Sequence, residues 1–343
     1  MSDDDSDRDD SIDSEQMKTD RYGFQGGSQL ENCSDDTVVG RVGMRRERKW
    51  VSMTNDLKSW KRWMRWRHKK VIERCRKGIP SSVRGKAWQF LSGSYEIQKK
   101  HEGEFDKLLS QKVDESVMRD IKKDIGRAFP YHEMFSKNGG PGQRELLRIL
   151  QAYSVHNPSI GYCQAMAPIG ALLLMHMTTE DAFWCFVTVC EKYLSGFFSP
   201  GLEAIQLEGQ VFYALLQRHA PAVREHLDKL NIEPLMFMTE WYMCAFARTL
   251  PWSLVLRVWD LLFIENVKII HKVAIATIKL TFDSKEKLDS SSSMHDTLRR
   301  LKNLPAEIFV NNALLREAND ISITDKDLER EYKAIQNSET TIN

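Results

Sequence analysis

The spacing of large apolar residues predicts helices along almost the whole chain. Between about residues 45 and 76, Leu57, Trp60, Met64 and Val71 recur at intervals of three, four and seven among basic residues, which is typical of a helix with one buried face. Similar patterns cover Phe105–Val113, Ser116–Gly126, Gln143–Asn157, Gln164–Met177, Glu180–Tyr193, Leu202–Arg218, Ala222–Leu230, Met236–Phe246, Pro251–Phe263 and Lys268–Phe282. No alternating apolar and polar run is long enough to seed a sheet. The pattern predicts an all-α, multi-helix fold.

Changes in composition predict four regions. Residues 1–40 are rich in Asp and Ser and poor in large apolar side chains, so we expect a disordered acidic tail. Residues 41–77 form a basic, Trp-containing helical segment, which the Gly78-Ile79-Pro80 break ends. The main helical domain is predicted over residues 78–285, with C-terminal helices and a tail over residues 286–343.

The net charge of +1 hides an uneven distribution. Residues 1–20 hold nine acidic side chains, and residues 41–77 hold fifteen Lys or Arg against three acids. The balanced total gives no indication of nucleic-acid binding. Two interpretations of the Trp60, Trp63 and Trp66 series in the basic segment stay open. It is either a surface for peripheral contact with anionic membranes or a helix whose Trp residues pack on the domain, the commoner arrangement.

Cysteine usage and hydropathy favour a cytoplasmic protein. The six cysteines include no C-x-x-C pair and lie mostly in apolar helical surroundings, as expected of reduced thiols. The acidic N-terminus contains no apolar stretch typical of a signal peptide. The longest uncharged apolar run, Ala165–Met177, has thirteen residues and is too short to span a bilayer. Recruitment to endomembranes or the plasma membrane is compatible with this prediction.

Motifs of self-contained enzymes are missing from the sequence. The stretch Gly78 to Lys86 lacks the spacing and the following Ser or Thr of a Walker loop. There is no G-x-S-x-G or H-E-x-x-H motif, and the histidines form no pair with metal-ligand spacing. We therefore expect neither a metal site nor a cofactor of the chain's own.

One candidate for chemistry is the segment Ile121-Lys-Lys-Asp124-Ile-Gly-Arg127. On a helix Ile121, Asp124 and Arg127 share a face, and Pro130 stops the helix soon afterwards. An arginine at such an end can project into a partner, with Asp124 placed to orient it. An ordinary surface ion pair is the alternative interpretation.

A second candidate lies between Asn157-Pro158 and the apolar run. The sequence Gly161-Tyr162-Cys163-Gln164 places Gln164 at the predicted first turn of a buried helix. Gly161 would allow close backbone approach, and Tyr162 could wedge the loop in place. A rigidly held amide can both donate and accept a hydrogen bond, as positioning a water molecule requires. The alternative is a simple helix cap.

Together the two segments resemble the TBC domain, a GTPase-activating module for Rab GTPases. The I-x-x-D-x-x-R and Y-x-Q motifs occur in the family's order, about thirty-five residues apart. Residues 76–91 resemble the family's opening segment, and residues 250–263 resemble its closing one, so the likeness extends over roughly residues 74–282. Residues 20–24 and 240–246 are similar to the subgroup that includes ezrin-linked microvillar members.

The resemblance implies a role for each motif residue. Arg127 would be an arginine finger and Gln164 a glutamine finger, both supplied in trans, with Asp124 supporting the arginine and Tyr162 and Gly161 shaping the glutamine loop. The partner would be a Rab-family GTPase in its GTP-bound state, which holds the GTP and the magnesium ion itself. The chain would thus stimulate a partner's hydrolysis without being a hydrolase, and so regulate membrane trafficking.

The sequence departs from the family pattern at two glycine positions, and other classes of function stay open. Ala165 follows the glutamine, and Asn266 replaces the glycine of a later E-G motif, where we expect a left-handed helical conformation. One alternative function is a non-catalytic Rab-binding scaffold or effector. The other is a helical interaction domain that carries the motifs by chance.

Overall fold

A computed structural model describes residues 19–26 and 41–342. Within these ranges the chain forms helices and two isolated β-bridges but no strand, so the all-α prediction is confirmed. The helices are α1 (Arg41–Thr54), α2 (Leu57–Arg76), α3 (Ser81–Ser92), α4 (Ser94–Lys100), α5 (Glu104–Leu109), α6 (Glu115–Ile125), α7 (Pro141–His156), α8 (Met166–Leu174), α9 (Thr179–Thr188), α10 (Glu203–His219), α11 (Pro221–Lys229), α12 (Leu235–Met243), α13 (Trp252–Glu265), α14 (Val267–Thr281), α15 (Lys285–Asp289), α16 (Met294–Lys302), α17 (Ala313–Asp320) and α18 (Asp325–Ile342). A π-helical turn, Val189–Tyr193, continues α9, and a 3₁₀ turn, Ala306–Asn312, precedes α17.

Capping explains why the basic segment forms two helices. The predicted helical pattern is interrupted at Asp56, whose carboxylate accepts the backbone N–H of Ser59 at 2.7 Å. This bond satisfies one of the N–H groups that a helix start leaves without a partner. A new helix, α2, therefore begins at Leu57.

The centre of the core is α8, all nine residues of which are buried. It packs against α6, α7 and α9. A Cβ placed on Gly170 would lie 2.9 Å from a methyl carbon of Leu146, so the glycine allows close contact between α7 and α8. Burial on every side explains why this segment shows no polar face in the sequence.

A buried carboxylate joins the two ends of the main domain. Asp260 of α13 accepts the backbone N–H of Ile79 at 2.7 Å and the indole N–H of Trp88 at 2.9 Å. The guanidinium of Arg84 lies 3.3 Å from the same carboxylate. Burial raises the pKa of Asp260, and Arg84 opposes that shift. Residues 79–88 are thereby fixed to α13.

The Trp series of α2 is only partly packed on the domain. Trp60 is buried and stacks on Phe90 with ring centroids 5.8 Å apart. Trp63 is half-buried, whereas the side chain of Trp66 is 72% exposed. The packed-helix interpretation thus describes Trp60 and not Trp66.

Part of the predicted disordered tail is ordered. Residues 1–18 and 27–40 lie outside the described residues, but residues 19–26 pack on the main domain, where Phe24 is 2% exposed. Disorder over residues 1–40 was therefore wrong for this stretch. The carboxylate of Asp20 forms a turn here by accepting the backbone N–H groups of Tyr22 and Phe24. The average composition of a segment does not reveal one such turn or one buried aromatic side chain.

Candidate functional site

Arg127 lies in the turn that follows α6. The helix ends at Ile125, and the Arg127 N–H donates to the Asp124 carbonyl at 3.0 Å in a tightened last turn. The predicted helix covered Ser116–Gly126, so the observed end comes one residue earlier. The Arg127 side chain is 63% exposed. Its Nε donates to the Lys123 carbonyl at 3.1 Å, so the guanidinium folds back over the end of its own helix.

Asp124 links the arginine to the segment that carries the glutamine. One of its carboxylate oxygens lies 3.3 Å from Nη2 of Arg127, and the other accepts the hydroxyl of Tyr162 at 2.9 Å. The Asp124 side chain is 12% exposed. Burial, and then the adjacent Asp124 carboxylate, raise the pKa of Tyr162, so its hydroxyl remains a donor at neutral pH. The structure thus brings Asp124, Arg127 and Tyr162 together.

Ile121 fixes the position of α6. It is fully buried, and Ile125 is 5% exposed on the same helix. These side chains belong to the face of α6 that packs against α7 and α8. Ile121 therefore anchors the helix that carries Asp124 and has no group that could take part in chemistry.

The loop between α7 and α8 is shaped by one glycine. Gly161 has a φ of +62°, and its N–H donates to the Asn157 carbonyl at 2.8 Å. A Cβ on Gly161 would meet nothing within 4 Å. Within the described residues, therefore, no close approach of another segment requires this glycine. The left-handed conformation requires it, because other residues adopt that region at a cost.

Gln164 lies at the exposed end of this loop. It precedes α8 by two residues, in a turn where the Met166 N–H donates to the Cys163 carbonyl at 2.9 Å. The prediction had placed Gln164 inside the first helical turn. Among the described residues, no hydrogen-bond partner is found for its carboxamide. The side chain is therefore accessible to a partner and does not cap α8.

The two departures from the glycine pattern have different consequences. Ala165 has φ −63° and ψ −15°, a conformation that any residue adopts, so its methyl group introduces no backbone strain. Asn266, between α13 and α14, has φ +55° and ψ −151°. The left-handed helical conformation expected for Asn266 was wrong, because its ψ lies in a region that almost only glycine adopts.

The aromatic cluster around Phe129, close to Arg127 in the chain, was not predicted from the sequence. Phe129, two residues after the arginine, is 4% exposed and packs against Phe24 and Trp252 with ring centroids 6.1 and 5.3 Å apart. The turn-forming Asp20 and the aromatic Phe24 nearby in the sequence were the available signal. Their partners are more than a hundred residues away in the chain, which no local pattern reveals.

The described ranges, 19–26 and 41–342, contain no group of three or more His, Cys, Asp or Glu side chains arranged to hold a metal ion. No helix there is long and apolar enough to cross a membrane.

The sequence and the fold both match known proteins. The model of the Rab-GTPase-TBC domain family matches residues 81–287. The chain belongs to the Rab-GTPase-TBC domain family. It is 48% identical to TBC1 domain family member 10B of Homo sapiens over 92% of this chain and 39% of that protein, and 46% identical to member 10A of Mus musculus over 92% and 63%. These relatives agree with the subgroup resemblance seen in the sequence, and the chain spans less than two thirds of their length.

Solved structures give the same result for the fold. The Chlamydomonas flagellar RabGAP TBC domain superposes with a TM-score of 0.67 at 27% identity, over 89% of this chain and 100% of that one. The Ypt/Rab-GAP domain of Gyp1p superposes with a TM-score of 0.63 at 16% identity, over 81% and 97%. The second likeness shows the TBC fold alone.

Proposed function

We propose that this Rab-GAP family chain accelerates GTP hydrolysis by a GTP-bound Rab GTPase, to which it supplies Arg127 and Gln164 in trans. The main support for this proposal is the pair of contacts that Asp124 makes. A single carboxylate, that of Asp124, contacts the exposed Arg127 and also holds Tyr162 at 2.9 Å, two residues before the exposed Gln164. The guanidinium of Arg127 and the carboxamide of Gln164 are therefore both exposed, on two segments that one hydrogen-bond network joins.

The arginine has the chemistry that the transition state of GTP hydrolysis requires. Charge spreads over the transferring phosphoryl group, and an arginine inserted in trans is worth about 10³–10⁵ in rate, or roughly 4–7 kcal/mol of barrier. A guanidinium is planar, permanently charged and a fork of donors, so lysine is a poor replacement. The side chain of Arg127 is 63% exposed, so its bonds to Lys123 and Asp124 cost little to exchange for bonds to a phosphate.

Gln164 supplies a different requirement, the orientation of the attacking water. Its carboxamide can accept a hydrogen bond from the water and donate one to a neighbouring backbone or phosphate oxygen. The GTP and the magnesium ion belong to the partner in this proposal, and the chain contributes positioning and charge alone. Such an activity would end the GTP-bound state of a Rab and so regulate membrane trafficking.

A single-turnover hydrolysis assay across a panel of GTP-loaded Rab proteins tests the proposal. We expect one or more members to be accelerated by the chain, and we expect Gln164→Ala to lower the maximal rate far more than the affinity. Gln111→Ala, which also alters an exposed glutamine, is the matched control. Rab binding without acceleration would favour the scaffold or effector alternative, and no binding would favour the helical interaction domain.

We also propose that α2 makes peripheral contact with anionic membranes. Trp66 is 72% exposed, and Arg62 lies one helical turn before it on the same face. Arg62, Arg65 and Lys69 are exposed, and the described residues provide no carboxylate within ion-pair distance of any of them. The guanidinium of Arg65 lies over the Trp66 ring, 4.9 Å from its centroid. An exposed indole among cations that have no carboxylate partner suits the boundary of an anionic bilayer, where each basic residue contributes about 1 kcal/mol.

Vesicle co-sedimentation of the full chain tests this contact. We expect binding to phosphatidylserine-containing vesicles, loss of binding to purely zwitterionic ones, and weakening by Trp66→Ala. Trp60→Phe, an aromatic replacement at the buried end of the series, is the matched control. Equal binding of both vesicle types, or no effect of Trp66→Ala, would contradict the membrane proposal and leave the Rab proposal untouched.

A further inference from the structure

Residues 19–26 form a preorganised turn, which we name the N-terminal clip. The carboxylate of Asp20 accepts the N–H of Tyr22 at 2.8 Å and that of Phe24 at 2.9 Å. Gly23 between them has a φ of +94°, which an L side chain rarely adopts. The turn of the clip is therefore formed by hydrogen bonds between its own residues.

The clip docks along the backbone of the loop that begins with Arg127. The Gln25 N–H donates to the Tyr131 carbonyl at 2.8 Å, and the Glu133 N–H donates to the Gly23 carbonyl at 2.8 Å. These two bonds join the clip to both sides of residue 132. A Cβ on Gly23 would lie 2.7 Å from a ring nitrogen of His132, so only glycine allows this approach.

An aromatic anchor completes the docking. Phe24 is 2% exposed and packs against His132 and Trp252, with ring centroids 4.9 and 5.1 Å apart. Its third neighbour is Phe129, at 6.1 Å. The ring N–H of His132 donates to the Tyr22 carbonyl at 2.8 Å, and burial lowers the pKa of His132, which keeps the imidazole neutral in this arrangement.

Phe129 connects this cluster to Arg127, two residues earlier in the chain. After α6 ends at Ile125, the next buried aromatic side chain is Phe129, two residues past the arginine. Phe24 covers one side of Phe129 and Trp252 another. The arginine's own contacts, with Lys123 and Asp124, are on the helix side, and on its other side the chain continues through the buried Ala128 to Phe129.

We propose that the N-terminal clip is a positioning element for the arginine finger, with Phe24 as its anchor. It holds the loop of residues 127–133 so that Arg127 is presented at one place relative to the GTPase, and it touches neither nucleotide nor phosphate itself. This inference rests on the proposed function of Arg127. A clip that only stabilises the fold would lower stability without changing the rate of the folded protein.

Phe24→Ala in the full chain separates positioning from stability. We expect the maximal stimulated rate to fall about 10–100-fold, the loss that a displacement of about 1 Å produces, while the half-saturating concentration changes less than about twofold. Phe282→Ala is the matched control, because Phe282 is 3% exposed and packs near His226 and Arg300, away from the loop. It should lower stability and leave the rate unchanged.

A second comparison links the effect to the arginine. In an Arg127→Ala background, Phe24→Ala should have no further effect on the residual rate, because coupled residues are not additive. Hydrogen exchange at the amides of residues 127–133 should increase in Phe24→Ala and not in Phe282→Ala. If Phe24→Ala does not fold, Gly23→Ala replaces it, because this change leaves Phe24 itself in place. It should also lower the maximal stimulated rate and increase hydrogen exchange at residues 127–133.

These experiments distinguish a wrong positioning role of the clip from a wrong GTPase-activating function of the chain. If the parent chain stimulates hydrolysis and Phe24→Ala matches it, or if the loss persists undiminished in the Arg127→Ala background, the positioning role is wrong. If the parent chain stimulates no GTPase, the proposed function fails. The exchange measurement then still decides whether the clip orders residues 127–133, and unchanged exchange overturns the inference.

Discussion

The carboxylate of Asp124 is the link between the two proposed fingers, and its removal should disturb both. In Asp124→Ala the hydroxyl of Tyr162 loses the acceptor that lies 2.9 Å away, and Arg127 loses its ion pair. In Tyr162→Phe the ring stays and only the hydroxyl is removed. The two substitutions therefore remove the same hydrogen bond from opposite ends.

The exposed fractions of these side chains determine how much free energy of unfolding each substitution should cost. The bond from Tyr162 to the 12%-exposed carboxylate of Asp124 contributes about 1.5–3 kcal/mol to the free energy of unfolding. The pair with the 63%-exposed Arg127 adds at most about 1 kcal/mol. Asp124→Ala should therefore cost about 1.5–4 kcal/mol and Tyr162→Phe about 1.5–3 kcal/mol. The double variant should cost little more than Asp124→Ala, with a coupling energy of about 1.5–3 kcal/mol, the value of the shared bond.

Urea unfolding of the four proteins and single-turnover hydrolysis with a responsive Rab measure both consequences. We expect both single variants to lower the maximal stimulated rate, because the arginine loop and the glutamine loop lose their common anchor. Asp120→Ala, which removes a 60%-exposed acid of the same helix paired with Lys123 at 3.2 Å, should change neither quantity appreciably. Additive stabilities in the double variant, or unchanged rates, would refute the linkage.

Two further predictions concern stability. Asn266→Gly should raise the free energy of unfolding by about 1 kcal/mol, because relief of about 1–3 kcal/mol of backbone strain exceeds the entropy cost of glycine; a lower urea midpoint would contradict this. Burial, and then the charge of Arg84, lower the pKa of His176 to about 3. The unfolded state, with an ordinary pKa near 6.5, therefore binds the proton first, and stability should fall as the pH drops below about 6.5 towards 3, by up to about 1.4 kcal/mol per unit. Substitution by Phe should remove that part of the pH dependence, and an unchanged pH profile would contradict the assignment.

Helix content was predictable because apolar spacing is a local property. Segments such as α7, α10 and α14 have the periodicity that burial of one face requires, and the structure contains them near the predicted bounds. Helix ends were less predictable. The ends of α6 at Ile125 and α8 at Met166 depend on turn hydrogen bonds that propensity does not encode.

The candidate site was predictable as residue types and spacing, and its architecture was not. The sequence indicated Arg127 and Gln164 only through the motif resemblance, because each alone is an ordinary surface residue. The contact of Asp124 with Tyr162 joins positions 38 apart in the chain, and the docking of Phe24 joins positions farther apart still. Such contacts depend on how helices pack, which no window along the chain reports.

Arg127 is proposed to act in trans on a GTPase as an arginine finger. Single-turnover hydrolysis by a responsive GTP-loaded Rab tests this role with the parent chain, Arg127→Lys and, as matched control, Arg119→Lys in α6, the helix that precedes Arg127. We expect Arg127→Lys to lose the stimulation by about 10³-fold or more while it still folds and binds the Rab, and Arg119→Lys to stimulate like the parent. Full stimulation by Arg127→Lys would show that Arg127 is not an arginine finger.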